Sequence, residues 1–215
     1  MTSPKLSILH DSDGVIVVDK PAGIPSTGRT LDDPHCLQSW LMTKYRRRRI
    51  WAVHQLDTDT TGVNVFVRRK ALVEVWSERL RAAQKQYIAF VAGVLEAERY
   101  DVRAALGYCE VTNRQRVIDI GRPARSIVHV RTRFLGVTEV SVFIETGRTH
   151  QVRLHMEHLG HPVLGDMRYA SPADQARHYR QALHAASVEF EDGVIFRAPI
   201  PSDLLHLREV LAAQG

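Results

Sequence analysis

Cysteine is scarce. Cys36 and Cys109 are the only two in 215 residues, which rules out a disulfide framework, and no CxxC pair is present to hold zinc. The simplest reading is two reduced thiols with no shared task. No apolar run approaches the roughly 20 residues needed to span a bilayer. The opening Met1-Thr2-Ser3-Pro4-Lys5 has neither the charged start nor the apolar core of a secretory leader, so a cytoplasmic protein with no membrane contact is expected. A phosphate-cradling glycine loop ending in Lys-Ser or Lys-Thr is missing, and so are GxSxG and GxGxxG. HExxH is absent too. His150, His155, His158 and His161 lie close together in sequence, but helix-end packing and hydrogen bonding explain them better than a metal, and no metal is expected. Internal repeats, low-complexity stretches and linkers are also lacking.

What is present is an ordinary globular composition, 44% hydrophobic and 25% charged, with 29 Lys+Arg against 24 Asp+Glu. The excess of +5 is modest, and its type is more informative than its size. Most of the positive charge is arginine, whose planar fork matches phosphate and stacks on bases. Lys44-Tyr45-Arg46-Arg47-Arg48-Arg49 is the densest positive run. It reads either as a solvated helix end, where cations complement the dipole, or as a phosphate contact. The second reading is favoured, with Arg47 and Arg48 as candidate contacts.

Hydrophobic spacing predicts a buried strand over Val15–Val18, a helix over 36–44, and a half-buried alternating strand over Val63–Val67. It further predicts a helix over 70–84 and strands over 87–94, 126–134 and 139–145. Residues 99–122 are polar and arginine-rich, as on hairpin edges or loops. A helix is expected over about 149–159, stopped by Gly160-His161-Pro162. Ser171-Pro172-Ala173-Asp174 opens another that runs to about Gln181. Two strands follow over 183–190 and 193–198, then a terminal helix capped by Ser202. Strands and helices are interspersed without a regular βαβ beat, so one mixed α+β domain is expected over 1–215 rather than a doubly wound sheet.

Between two strand-like segments lies His54-Gln55-Leu56-Asp57-Thr58-Asp59-Thr60-Thr61-Gly62. Such side chains hydrogen-bond to nearby backbone and can hold an unusual loop. A carboxylate on a rigid loop is a catalytic candidate. A polar turn with an Asx cap explains these residues equally well.

Three stretches together resemble the RluA-type pseudouridine synthases. The 54–62 loop is similar to their HRLDxxTSG motif, and Lys85-Gln86-Tyr87 to Gly93 to their K-x-Y strand. Thr146-Gly147-Arg148-Thr149-His150-Gln151-Val152-Arg153, continued through His155, Gly160-His161-Pro162, Gly165-Asp166 and Tyr169, resembles TGRTHQIRxH…GHPxxGDxxY. Lys20-Pro21-Ala22-Gly23 resembles the family's KPxG turn, and Leu183-His184-Ala185 its late LHA strand. The resemblance spans about residues 7–203. It implies a single catalytic domain with a mixed, largely antiparallel bent sheet flanked by helices and loops. It also implies isomerisation of uridine to pseudouridine in RNA, without cofactor or metal; a monomer is expected. Asp57 is then the essential carboxylate at the sugar. An arginine should keep it charged through a bidentate pair, Arg148 first and Arg153 as the alternative. Tyr87 forms the wall for a flipped uracil, with Val152 in the family's aliphatic position. His54, Gln55, Thr60, Thr61, Lys85 and Arg153 complete the expected substrate contacts.

Two positions depart from the motif. Thr61 replaces serine and keeps the hydroxyl. Gln55 replaces the arginine that the family uses in the gap left by the flipped base, so base flipping and RNA affinity are affected more than the chemistry at Asp57. The KPxG turn begins at residue 20, with no S4 module ahead of it, so the catalytic domain itself is expected to hold an rRNA or tRNA stem-loop. Two other readings compete. One is an RNA-binding or RNA-folding protein with little turnover, favoured only by Gln55. The other is a small hydrolase using Asp57 and Asp59, which their i, i+2 spacing disfavours.

Overall fold

The computed structural model describes residues 6–30 and 33–214. Met1–Lys5, read above as lacking the features of a secretory leader, and Leu31 and Asp32 of the polar loop expected over 26–33, lie outside the described residues. Contacts divide the chain into two compact units, each built from two segments. One is Met1–Ala83 with Ala185–Pro199, and the other is Gln84–His184 with Ile200–Gly215. Both show the expected α+β class. Among the described residues no helix is long and apolar enough to cross a membrane.

The first unit is organised on β1 (Ser7–Ser12), β2 (Val15–Lys20) and β4 (Thr61–Val67), paired antiparallel in that order. Strand β3 (Trp51–Ala52) adds to β4, and β12 (Ile195–Arg197) pairs with β11 (Leu183–Glu189). Val63–Val67 was expected to be half-buried, but every residue of β4 is buried. Its alternation separates two cores instead of core from solvent. Val15, Val17, Val63, Val65 and Val67 enter one core beside α2 (Leu72–Ala82). Ile16, Val18 and Phe66 enter the other beside α1 (Leu37–Lys44). Each such side chain contributes roughly 1.5–3 kcal/mol on full burial, so these two strands fix the unit. Helix α1 starts where the spacing placed it, capped by the Cys36 sulfur, which accepts from the Ser39 amide.

In the second unit, β5 (Gln84–Ala92), β10 (Val137–Ile144), β9 (Arg125–Phe134) and β6 (Arg99–Arg103) pair antiparallel in that order. A separate hairpin, β7 (Leu106–Cys109) with β8 (Arg114–Val117), accounts for the arginine-rich region. Helix α3 (Gln151–His158) packs Val152 and Met156 into the core, and α5 (Ser202–Ala212) adds Leu204, Leu207 and Leu211. A bulge at Arg131 interrupts the β9–β10 register and brings that guanidinium 3.1 Å from buried Glu139. Arg208 of α5 reaches the same carboxylate with Nε and Nη2 at 2.9 and 2.8 Å. Burying Glu139 is tolerated because two cations surround it.

Several boundaries moved, three of them at helix ends with a visible cause or consequence. α3 starts at Gln151 because His150 takes a left-handed conformation (φ 57°) that ends helical continuation towards the N-terminus. α4 is only Pro172–Gln175, not a helix to Gln181. The chain is diverted there because Arg180 is buried on Asp203, with Nε–Oδ2 at 2.7 Å and Nη2–Oδ1 at 3.1 Å. The cap of α5 is Pro201, not Ser202, and makes no side-chain cap bond.

Gly62, the second residue of β4, has φ +112°, and a Cβ there would collide with the carbonyl oxygen of Ala185. Gly62→Ala is expected to lower unfolding free energy by about 3–5 kcal/mol, measured by urea denaturation. A loss under about 1 kcal/mol would show that the close approach is not needed.

Candidate active site

The 54–62 loop is fixed from outside itself. Lys20 ends β2 with its ammonium wholly buried. Its Nζ donates to the carbonyls of Pro21 (2.9 Å), Ile24 (2.6 Å) and Thr58 (2.7 Å). Three N–H bonds meet three acceptors, which is what a buried ammonium requires. Ser26, also buried, accepts from the Leu56 amide at 2.9 Å and donates to the Leu56 carbonyl at 3.3 Å. The residues on both sides of Asp57 are therefore held by side chains from 20–26, and the Asp57 carbonyl accepts the Thr60 amide at 3.1 Å. Leu56, Thr60 and Thr61 are buried beneath the loop, Asp57 is half-buried, and Gln55, Thr58 and Asp59 are exposed.

His54 is also tied to the strand that follows. The Val65 amide donates to its Nε2 at 3.1 Å, so that nitrogen accepts and the proton belongs on Nδ1. Buried Asn64 donates from Nδ2 to the His54 carbonyl at 3.1 Å. Of the expected contacts in this unit, His54, Thr60 and Thr61 are thus brought together with Asp57 in one braced loop, and Gln55 faces solvent. Arg47 and Arg48 lie on the exposed turn after α1. Arg46 and Arg47 are both left-handed there (φ 57° and 59°), a conformation that costs about 1–3 kcal/mol per residue. The basic run is therefore a shaped turn and does not continue the helix.

In the second unit, Lys85 and Tyr87 lie on one face of β5, opposite Ile144 and Val142. Burial pushes the Lys85 ammonium down to about 8; Tyr87 is half-buried. The segment 146–155 is held by a buried amide. Gln151 accepts from Thr146 Oγ1 (2.7 Å) and the Arg148 amide (3.1 Å), and donates to the Arg125 carbonyl (2.9 Å) and Ser126 Oγ (3.1 Å). His155 continues the chain. Its Nε2 lies 3.1 Å from the Ala104 carbonyl, which can only accept, so its Nδ1 accepts from Ser126 Oγ at 2.8 Å. Burial lowers the pKa of this imidazole, consistent with a neutral structural role.

The two candidate arginines differ. Arg148 is half-buried, donates from Nε to the Pro123 carbonyl at 3.1 Å, and forms no ion pair among the described residues. Arg153 is the buried guanidinium. Its Nε and Nη2 meet Asp166 at 2.6 and 2.8 Å, with its carbon 5.0 Å from the Tyr169 ring centre. Asp166 Oδ1 also accepts the Arg168 amide at 2.9 Å. Val152, expected near the base, is buried in the core of its unit.

Lys20, Ser26, Gln151, Asp166 and Tyr169 were given no role from sequence. The motif positions of Lys20, Gln151, Asp166 and Tyr169 were visible, but the partners that tie them to other elements, such as Thr58 for Lys20 and Ser126 for Gln151, are distant in the chain. Nothing in the sequence marks Ser26. Among the described residues no cluster of three or more His, Cys, Asp or Glu side chains could hold a metal ion.

The family described as RNA pseudouridylate synthase matches residues 14–158. The dual-specificity RNA pseudouridine synthase RluA of Pasteurella multocida is 34% identical over 212 residues, covering 95% of this chain and 92% of that protein. Ribosomal large subunit pseudouridine synthase D of Xanthomonas campestris pv. campestris is 34% identical over 233 residues, covering 96% of this chain and 69% of that protein. The solved structure of human RNA pseudouridylate synthase domain containing 1 has a TM-score of 0.77 at 25% identity, covering 97% of this chain and 95% of that one.

Lys20→Met would leave three carbonyls without their donor. It is expected to cost roughly 3–5 kcal/mol of stability and to raise amide hydrogen exchange at residues 56–60. Unchanged exchange there would remove Lys20 as the brace. A pH effect follows from His155 and His178, both lowered mainly by burial from 6.5. Below about 6.5 the unfolded chain binds protons that the folded chain refuses, so these two groups reduce stability as pH falls. Asp19 acts oppositely, because burial raises it to about 6 and the folded chain is protonated first. His155→Gln should therefore show a shallower fall, or a steeper rise, in unfolding free energy from pH 7.5 to 5.5 than the parent. Identical slopes would refute the assignment.

Proposed function

Since the chain belongs to the RNA pseudouridylate synthase family, whose reaction isomerises uridine in RNA, we propose that Asp57 is the essential carboxylate of that reaction here. The supporting observation is the bracing of Asp57 by Lys20 and Ser26 on neighbouring loop residues. A carboxylate that acts at the sugar must be aimed before substrate arrives. The N1–C1′ bond breaks, the uracil turns, and C5 bonds to C1′. C5 loses a proton and N1 gains one, so the reaction balances without a co-reactant. An ionised Asp57 serves either route, attack at C1′ or proton removal at C2′.

Arg153 is a better candidate than Arg148 for the guanidinium that keeps such a carboxylate charged. It is buried and oriented by Asp166 and Tyr169. Tyr87 supplies the aromatic wall for the flipped base. His54, Thr60, Thr61 and Lys85 support substrate placement, and Arg47 and Arg48 contact phosphate. Exposed Gln55 hydrogen-bonds RNA without the family arginine's charge. The substrate is structured RNA, with ribosomal RNA favoured by the relatives named for the large subunit. The protein acts as a cytoplasmic monomer.

Asp57→Asn is expected to reduce pseudouridine formation by at least about a thousand-fold while changing RNA affinity less than about three-fold. The measurement is pseudouridine mapping in RNA from a strain lacking the gene, after incubation with each protein. Arg153→Lys should lower turnover far more than Arg148→Lys. Full activity of Asp57→Asn would sink the assignment. A parent protein that bound RNA but never isomerised it would instead favour the binding-only reading.

A further inference from the structure

The second unit holds a groove of about 400 Å³ that none of the assigned chemistry explains. One wall is the β7–β8 hairpin, the second is the turn over 118–122, and the third is the loop over 147–149. Close backbone approach builds it. Leu106 and Arg122 exchange backbone hydrogen bonds at 3.0 and 2.8 Å, and a Cβ on Gly121 would lie 2.6 Å from the Leu106 carbonyl carbon. The volume falls within the roughly 300–1,000 Å³ typical of small-ligand pockets.

The lining is specific in kind. Tyr108 is 53% exposed and Ile120 is 95% exposed. An aromatic ring and a branched aliphatic side chain are thus held out of the core, which gains nothing from their burial. The Tyr108 hydroxyl is held by Asn113 Oδ1. Gln115, the cross-strand partner of Tyr108, shares its face of the hairpin and offers an amide. The charged lining residues are Arg122 and Arg148, with no carboxylate among them. Neither guanidinium is ion-paired among the described residues. By contrast, Arg125 nearby is held by Asp101 and Glu145.

A flat apolar surface, an amide and two unneutralised forks in one groove match a nucleotide: ring to stack, edge to hydrogen-bond, phosphate to pair. We propose that this groove binds one unpaired nucleotide of the RNA substrate, distinct from the uridine that is isomerised. Its base lies on Tyr108 and Ile120, and its phosphate lies on Arg122 with Arg148. The inference rests on the RNA-modifying reading above and adds a second nucleotide position to it. Such a position favours RNA with an unstacked loop or bulge over a continuous duplex.

The test uses the full chain and two probes, large-subunit rRNA transcribed without modification and a 20-bp RNA duplex lacking loops. Tyr108→Ala and Arg122→Gln should each raise KM for the rRNA roughly ten-fold or more, with kcat within two-fold of the parent. Tyr108→Phe should retain parent KM, because the ring and not the hydroxyl stacks. Arg122→Gln should also flatten the salt dependence of binding by about one unit in log–log slope. Neither variant should change affinity for the duplex. Unchanged KM and rRNA affinity in both variants would overturn the proposal, and so would equal losses on rRNA and duplex. Affinity is read independently of turnover. A parent that binds rRNA through Tyr108 and Arg122 but makes no pseudouridine would uphold the groove and refute the catalytic reading.

Discussion

An ammonium ion shut away from water must place all three of its N–H bonds on acceptors, and much of the first unit follows from how Lys20 meets that demand. It takes two carbonyls from the turn it begins, at Pro21 and Ile24, and a third from Thr58, across 38 residues of chain. Breaking any one bond leaves a charge short of a partner where no solvent can replace it. The KPAG turn and the Asp57 loop are therefore coupled by the cost of an unsatisfied charge, more strongly than packing alone could couple two polar loops. Ser26 applies the same constraint on the other side of Asp57, at Leu56. The half-buried Asp57 thus lies between two neighbours that are fixed from outside the loop.

The second unit solves a like problem with a neutral amide and an ion pair. Gln151 uses both its oxygen and its nitrogen on four partners, two of them on β9, well away in sequence. His155 extends the chain to Ala104. Satisfied networks of this kind rigidify a site because every partial rearrangement strands a buried polar atom. Arg153 is oriented by Asp166, which is itself held by the backbone of the GDMRY turn. The long motif from Thr146 to Tyr169 thus encodes its own scaffold. Thr146 with Gln151, His150 with Tyr169, and Arg153 with Asp166 hold one another within it.

Much of this was legible in the sequence, and the gaps have physical causes. Val15–Val18 and the helix after Cys36 were readable because burial and capping act locally. The Val63–Val67 alternation was read correctly as a strand but wrongly as half-buried, since period two looks the same whether the second face meets solvent or another core. Helix 172–175 stops early because Arg180 answers to Asp203, a long-range demand no local pattern reveals. The loop at Asp57 was legible as a motif, whereas Lys20 as its brace was not, because a lysine closing a strand usually marks the surface. Arg148 and Arg153 were not separable in the sequence for a similar reason. Residue type showed that both could fork to a carboxylate, but only burial and the neighbouring Asp166 separate them.

Arginine makes the final distinction. The net charge of +5 is a poor guide to RNA binding here, because many guanidinium groups are already neutralised within their own unit. Arg125 is held by Asp101 and Glu145, Arg131 and Arg208 by Glu139, Arg133 by Glu98, and Arg180 by Asp203. Those arginines contribute shape. Among the described residues, those with no carboxylate partner include Arg46 to Arg49 on the turn after α1 and Arg122 and Arg148 in the groove. Screening confines each charge to about 8 Å at physiological ionic strength, so an incoming polyanion responds to such local clusters and not to the total. The turn at 46–49 presents charge alone, and charge alone carries no means of reading sequence. The groove presents charge beside a ring and an amide, and that combination can discriminate an unstacked nucleotide from a paired one.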